Sequence, residues 1–164
     1  MKLLSDAAEY GLRAVIMLSQ RPGETLKVRE IAEATRSAPG YLVKVLQSLS
    51  KAGVLSARRG STGGFCLERD PAELTVLEVI NAIDPVERIH TCPLGLEAHA
   101  QVLCPLHRRI DNVLASIECE FGQTTIKQLI ASQAPAHGEC TLLTAGGAPT
   151  LSNKIGGTQM ARPD

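Results

Sequence analysis

At 164 residues, 44% of them hydrophobic and 21% charged, the chain has the composition of a soluble globular domain with one ordinary core. No apolar run approaches the roughly 18–20 residues that span a bilayer, which excludes a membrane-spanning reading. The net charge is zero but unevenly spread: residues 1–70 carry 11 Lys+Arg against 7 Asp+Glu, and residues 71–164 carry 6 against 10. The basic N-terminal part suits contact with phosphates.

The N-terminus, MKLLSDAAEYGLR, places Asp6 and Glu9 where a signal peptide would stay apolar, so a cytoplasmic protein is expected. A first helix is predicted from Asp6 to Ser19, with Ala8, Leu12, Val15 and Ile16 as its buried stripe. Glu9 and Arg13 sit one turn apart beside it and read simplest as a surface ion pair. Pro22 and Gly23 end the helix.

A second helix, Val28 to about Thr35, buries Val28, Ile31 and Ala32. After a break at 37–40, a third runs from Tyr41 to Ala52, with Leu42, Val45, Leu46 and Leu49 at i, i+3, i+4 and i+7. Gly53 is the expected left-handed residue past its end. Two short amphipathic helices joined by a tight turn form a helix-turn-helix. The opposite face of the third helix carries Gly40, Lys44, Gln47 and Lys51, without an acid, and can enter a major groove of double-stranded DNA. Arg29 and Tyr41 complete the expected DNA-facing set on the helices.

Strands are predicted at Val54–Arg58 and Gly64–Glu68 around the turn RGSTG. A glycine-rich hairpin tipped with Arg58 and Arg59, directly after a recognition helix, is a wing whose arginines suit a minor groove or phosphates. The turn lacks the Lys-Ser/Thr and the following helix of a nucleotide-binding loop. Cys66, among strand residues, reads as a small buried hydrophobe.

Thr75 and Glu78 form a capping box that opens a helix with Val76, Val79, Ile80 and Ile83 on one face, closed by Asp84-Pro85. An irregular segment from Val86 to Cys104 follows. Pro105 then begins a long helix to about Phe121, striped by Ile110, Val113, Leu114, Ile117 and Phe121 and stopped by Gly122. So long a stripe beyond a complete winged module asks for a second copy of the chain; a two-fold dimer would read two DNA half-sites in a pseudo-palindromic operator. Residues 125–132 make one more short helix. From Gln133 onward, Ala, Gly, Pro, Ser and Thr without periodicity predict a disordered tail in which His137 and Cys140 are silent.

The irregular segment concentrates the soft ligands: three of five cysteines and three of four histidines lie between His90 and Cys119. In a cytoplasmic chain such cysteines read better as metal ligands or redox thiols than as a disulfide framework. The spacing Cys92-x11-Cys104-x2-His107 suits iron–sulfur, zinc or copper, and does not choose among them. Cys104 and His107 fall at a helix start, where backbone N–H groups favour thiolate and negative charge. Cys119, off the helical stripe, reads as idle.

Residues 1–132 resemble the IscR/NsrR-type family of bacterial winged-helix transcription regulators, often iron–sulfur-cluster sensors. The resemblance is carried by AEYGLRAV at 8–15, the helix-turn-helix at 29–55, RRGSTGGF at 58–65, LTVLEVI at 74–80 and the cysteine loop before a long helix. It implies a homodimer with crossing long helices and a cluster usually held by three cysteines. Cys92 and Cys104 match the outer two cysteines, and His107 matches a histidine ligand of the family. The middle cysteine is replaced by Ala98 and His99. In some members an acidic residue of the first helix ligates from the other subunit, and Glu9 stands at that place. Two thiolates with His107, completed by Glu9 or alternatively by His99, fit [2Fe–2S] better than [4Fe–4S].

The expected architecture is therefore mainly α. A winged helix-turn-helix over 1–84 with a small β-hairpin wing precedes a sensor loop over 85–106. A dimerisation helix with a short terminal helix follows over 107–132, and a disordered tail over 133–164. The expected function is a DNA-binding regulator sensing redox, nitric oxide or iron status. The alternative is a metal-free or zinc-bound regulator switched by thiol oxidation or a protein partner. An enzyme reading, from two cysteines and a histidine, finds no HExxH, cofactor loop or second carboxylate pair to support it.

Overall fold

The computed structural model describes residues 3–60, 63–93, 95 and 102–132. It is mostly helical with one two-stranded antiparallel sheet. Helix α1 spans Asp6–Ser19, α2 Val28–Thr35 and α3 Pro39–Lys51; β1 spans Leu55–Arg58 and β2 Gly64–Leu67. Helix α4 spans Val76–Asn81, α5 Pro105–Gln123 and α6 Ile126–Ala131.

Ser5 caps α1, its Oγ accepting from the Ala8 N–H at 3.2 Å. The buried face is wider than the expected stripe: Gly11, Ala14, Met17 and Leu18 join Ala8, Val15 and Ile16, while Leu12 is half-buried against the core. In α2, Ile31 and Ala32 are buried and Val28 is half-buried. Thr35 is also buried, its hydroxyl donating to the Ile31 carbonyl at 2.7 Å. Arg36 then turns the chain through the left-handed region, at φ 52°. Helix α3 begins two residues before its expected start, because Pro39 is pre-shaped for a first helical turn. Its stripe of Leu42, Val45, Leu46 and Leu49 is buried as expected, and Gly53 takes φ 74° beyond its end.

The wing pairs Leu55 with Leu67 through Arg58 with Gly64, each strand one residue shorter than expected. A bridge the sequence did not suggest adds Leu26, which exchanges two 2.9 Å backbone hydrogen bonds with Phe65. A Cβ at Gly64 would collide with the Leu26 carbonyl, so glycine here permits the hairpin to close on the chain between α1 and α2. Cys66 is buried as expected, with its sulfur 3.0 Å from the Ser56 hydroxyl.

The capping box at Thr75 forms: its Oγ1 accepts from the Glu78 N–H at 3.2 Å, and its N–H donates to the Glu78 carboxylate at 2.8 Å. Helix α4 stops at Asn81, before Asp84-Pro85, and the Asn81 side chain accepts the Val86 N–H at 3.1 Å. Thr125 and Gln128 build a second capping box on α6. The two helix starts pair, with Val76 N–H donating to the Thr124 carbonyl and Ile126 N–H to the Leu74 carbonyl, both at 2.9 Å. That pairing delivers Ile126, fully buried, into the core of α1, α3, α4 and the sheet.

Helix α5 buries no residue. Its stripe divides: Leu114, Ile117 and Phe121 are half-buried within the chain, while Leu106, Ile110 and Val113 stay 62%, 41% and 60% exposed. Gly122 does not stop the helix; it lies in the last turn, and Thr124 in extended conformation ends it. Among the described residues, no helix is long and apolar enough to cross a membrane.

Candidate metal centre and DNA interface

Cys104 stands at the N-cap position of α5 and Pro105 occupies its first position, so Cys104 and His107 face each other across the opening turn. The incoming segment brings Cys92 to the same point. The ligand atoms of Cys92, Cys104 and His107 all lie within 4.8 Å of one another. His107 Nδ1 is 3.1 Å from Cys104 Sγ and 3.6 Å from Cys92 Sγ. Both cysteines are nearly buried, at 9% and 8% exposure.

The His107 backbone N–H, directed at the Cys104 sulfur, draws that thiol down from its ordinary value to about 7, helped by the His107 ring and Cys92. A thiolate there is the form a metal takes. Metal bonds of about 2.3 Å to sulfur and 2.0–2.1 Å to nitrogen put tetrahedral ligands roughly 3.5 Å apart. The observed separations fit that spacing, so the residues present fit a soft-metal centre.

Within one chain, and among the described residues, Glu9 is not part of this group. Glu9 holds Arg13 at 3.3 Å within α1, the ion pair expected of that spacing, and Arg13 also donates to the Thr35 carbonyl at 3.4 Å. His99 lies outside the described residues, as do Ala98, His137 and Cys140. Cys119 is exposed on α5, its sulfur accepting from Gln123 Nε2 at 3.3 Å.

Sequence reasoning missed a clamp beside the centre. Arg88, in the irregular segment, lays its guanidinium fork on Asp111 with two 2.6 Å hydrogen bonds and reaches Glu118 at 3.2 Å. The Ile89 N–H adds a third bond to Asp111, at 2.9 Å. The fork, with that N–H, holds the Asp111 carboxyl down at about 2, and the two carboxylates raise Arg88 above its ordinary value. His107, Asp111 and Glu118 recur at i, i+4 and i+11 along one side of α5, a periodicity in polar residues that could have flagged the clamp.

All eight predicted DNA-facing residues are exposed: Arg29, Gly40, Tyr41, Lys44, Gln47, Lys51, Arg58 and Arg59. The buried stripe of α3 turns Lys44, Gln47 and Lys51 outward, and the wing holds Arg58 and Arg59 at its tip. Tyr41 meets Tyr10 of α1 edge-to-face, with ring centroids 6.0 Å apart, which steadies the start of α3.

Comparison with known proteins places this arrangement. Residues 4–132 match the model of the Rrf2 family, described as an iron-dependent transcriptional regulator. The chain is 30% identical over 131 residues to a helix-turn-helix-type transcriptional regulator of Aquifex aeolicus (strain VF5), covering 78% of this chain and 91% of that one. Among solved structures, IscR of T. potens superposes with a TM-score of 0.66 at 24% identity, covering 84% of this chain and 94% of the other. CymR, the global cysteine regulator of B. subtilis, superposes with a TM-score of 0.65 at 22% identity, covering 80% and 98%. The family and the Aquifex aeolicus relative are transcriptional regulators, which removes the enzyme reading. The winged helix-turn-helix, the exposed basic face of α3 and the matched family together make this chain a DNA-binding transcriptional regulator of the Rrf2 family.

Proposed function

We propose that this regulator works as a cytoplasmic homodimer that senses redox, nitric oxide or iron status through an iron–sulfur cluster, [2Fe–2S], at Cys92, Cys104 and His107. The observation that carries the proposal is the convergence of two nearly buried thiols and one imidazole within 4.8 Å at a helix start. Glu9 of the partner subunit, or alternatively His99, would supply the last ligand. When bound, such a group supplies one-electron chemistry whose potential imidazole ligation raises.

The chain's own residues do the coupling. Cys104 and His107 belong to α5, whereas Cys92 belongs to the segment that leaves α4, so ligation by all three fixes that segment against the long helix. The exposed Leu106, Ile110 and Val113 supply an apolar face that a second copy would cover. Because α4 packs on both α1 and α5, a shift of α5 reaches the helices that set the two DNA readers' spacing. Lys44, Gln47, Lys51, Arg58 and Arg59 would meet the phosphates and base edges of a pseudo-palindromic operator.

The separations of His107 Nδ1 from the two sulfurs, near those of tetrahedral ligands on a single ion, support a second reading with zinc in the same place. Anaerobic purification with visible absorption and iron, sulfide and zinc analysis on one sample separates the two. Iron and sulfide near two each per chain, lost in Cys92→Ala, is the expected result. Colourless protein with stoichiometric zinc transfers the site to the second reading. Unchanged metal content and DNA response in Cys92→Ala overturns both.

A further inference from the structure

We propose that Arg88 is the positioning residue of the metal centre: by clamping Asp111 and Glu118, it sets where Cys92 meets Cys104 and His107. The inference rests on the metal-site reading above and deepens it. Cys104 and His107 need no outside help, since three residues of one helical turn fix their separation. Cys92 has no such guarantee, because it approaches from a segment without helix or strand. Ahead of Cys92, that segment is hydrogen-bonded to α5 through Arg88 and Ile89 on Asp111 and through Arg88 on Glu118.

The geometry suits the task. Asp111 stands one turn after His107 on the same side of α5, and Cys92 stands four residues after Arg88. The planar fork, with both Asp111 oxygens engaged at 2.6 Å, fixes direction as well as distance. The Ile89 N–H on the same carboxylate fixes the backbone leading to Cys92. A lysine would keep the charge and lose the fork.

Cobalt(II), titrated without oxygen into the reduced, metal-free full chain, reports thiolate ligation through its charge-transfer absorption. Removing an outer partner of metal ligands weakens metal binding by about 10–100-fold. Arg88→Ala is expected to lose affinity in that range, with Arg88→Lys recovering part of it. Far-UV circular dichroism and binding to non-operator duplex should remain at wild-type levels.

A second readout needs no metal. In a glutathione buffer, Cys92 and Cys104 form a disulfide as oxidised glutathione accepts two electrons and both thiol protons end on two reduced glutathiones. The equilibrium constant measures the effective concentration of one thiol at the other, and Arg88→Ala should lower it by a similar factor. Wild-type values for folded Arg88→Ala in both readouts overturn the positioning role and leave the metal site standing. Failure of wild type to bind cobalt overturns the metal reading instead, while the disulfide equilibrium still decides for or against Arg88.

Discussion

Helix α3 buries all four residues of its apolar stripe at 3% exposure or less, whereas the longer α5 buries none of its nineteen residues. Both helices have an apolar periodicity that would be read identically from sequence. Stripe residues of α3 are surrounded by α1, α2 and β1; those of α5 are half-buried at Leu114, Ile117 and Phe121 and exposed at Ile110 and Val113. The first region is held by burial and the second by polar ties at both ends: the Arg88 clamp near its start and the Thr75–Thr125 bridge past its finish. A DNA reader needs a rigid shape, and a sensor needs an element whose neighbours can change.

The sharpest test of that contrast is a large-to-small change in each stripe. Leu46→Ala, at a fully buried position, should cost about 2–5 kcal/mol of unfolding free energy. Val113→Ala is its counterpart and belongs at the other end of the scale. Urea denaturation of both variants decides, and equal losses would erase the distinction drawn here.

Between these extremes, Gly64→Ala drives a Cβ into the Leu26 carbonyl and should cost about 1–3 kcal/mol, as overpacking does. It should also weaken duplex binding by displacing the wing, which fluorescence anisotropy would follow. Thr75→Ala removes the hydroxyl that caps α4 and should cost about 1 kcal/mol in the same denaturation assay.

Acid probes the polar side of the comparison. Asp111 is held below its ordinary 3.8, at about 2, by Arg88 and the Ile89 N–H. A lowered carboxyl contributes stability fully present above its ordinary value and lost as pH falls through the lowered one. The stability difference between wild type and Asp111→Asn should therefore be constant above pH 3.8 and shrink towards pH about 2. A difference that does not change across that window would mean the ion pair contributes nothing.

The smallest effect belongs to Val113→Ala at 60% exposure, within about 0.5 kcal/mol for the isolated chain, as for surface positions generally. Its consequence should instead appear in sedimentation, as a weakening of the proposed dimer.

The contrast also separates what the sequence made legible from what it did not. Helices α1 and α2 begin and end where their patterns predict, because Ser5, Pro22 and a regular apolar repeat are local signals. Cys92, Cys104 and His107 were legible as soft ligands, and the folded chain brings them together. Glu9 is different: its i+4 relation to Arg13 expresses itself as an ion pair, and any role as a ligand depends on a second copy. The end of α5 was misplaced because Gly122, a usual stop, sits in a turn whose termination is set by Thr124 and its pairing with Val76. Arg88 was invisible for the same reason. Its partners are 23 and 30 residues away, and the polar repeat of His107, Asp111 and Glu118 marks one side of α5 without naming the residue that meets it.

The pairing of the two helix starts has a consequence for how such a chain can change over time. Helix α5 is about 28 Å long at 1.5 Å per residue, with its phase locked at both ends: His107 and Asp111 must face the segment from α4, and Thr124 must face Val76. Inserting or deleting one residue between them turns one end by about 100° relative to the other. Substitutions along the helix leave that phase intact, but a change of length there must come in whole turns or break one of the two locks.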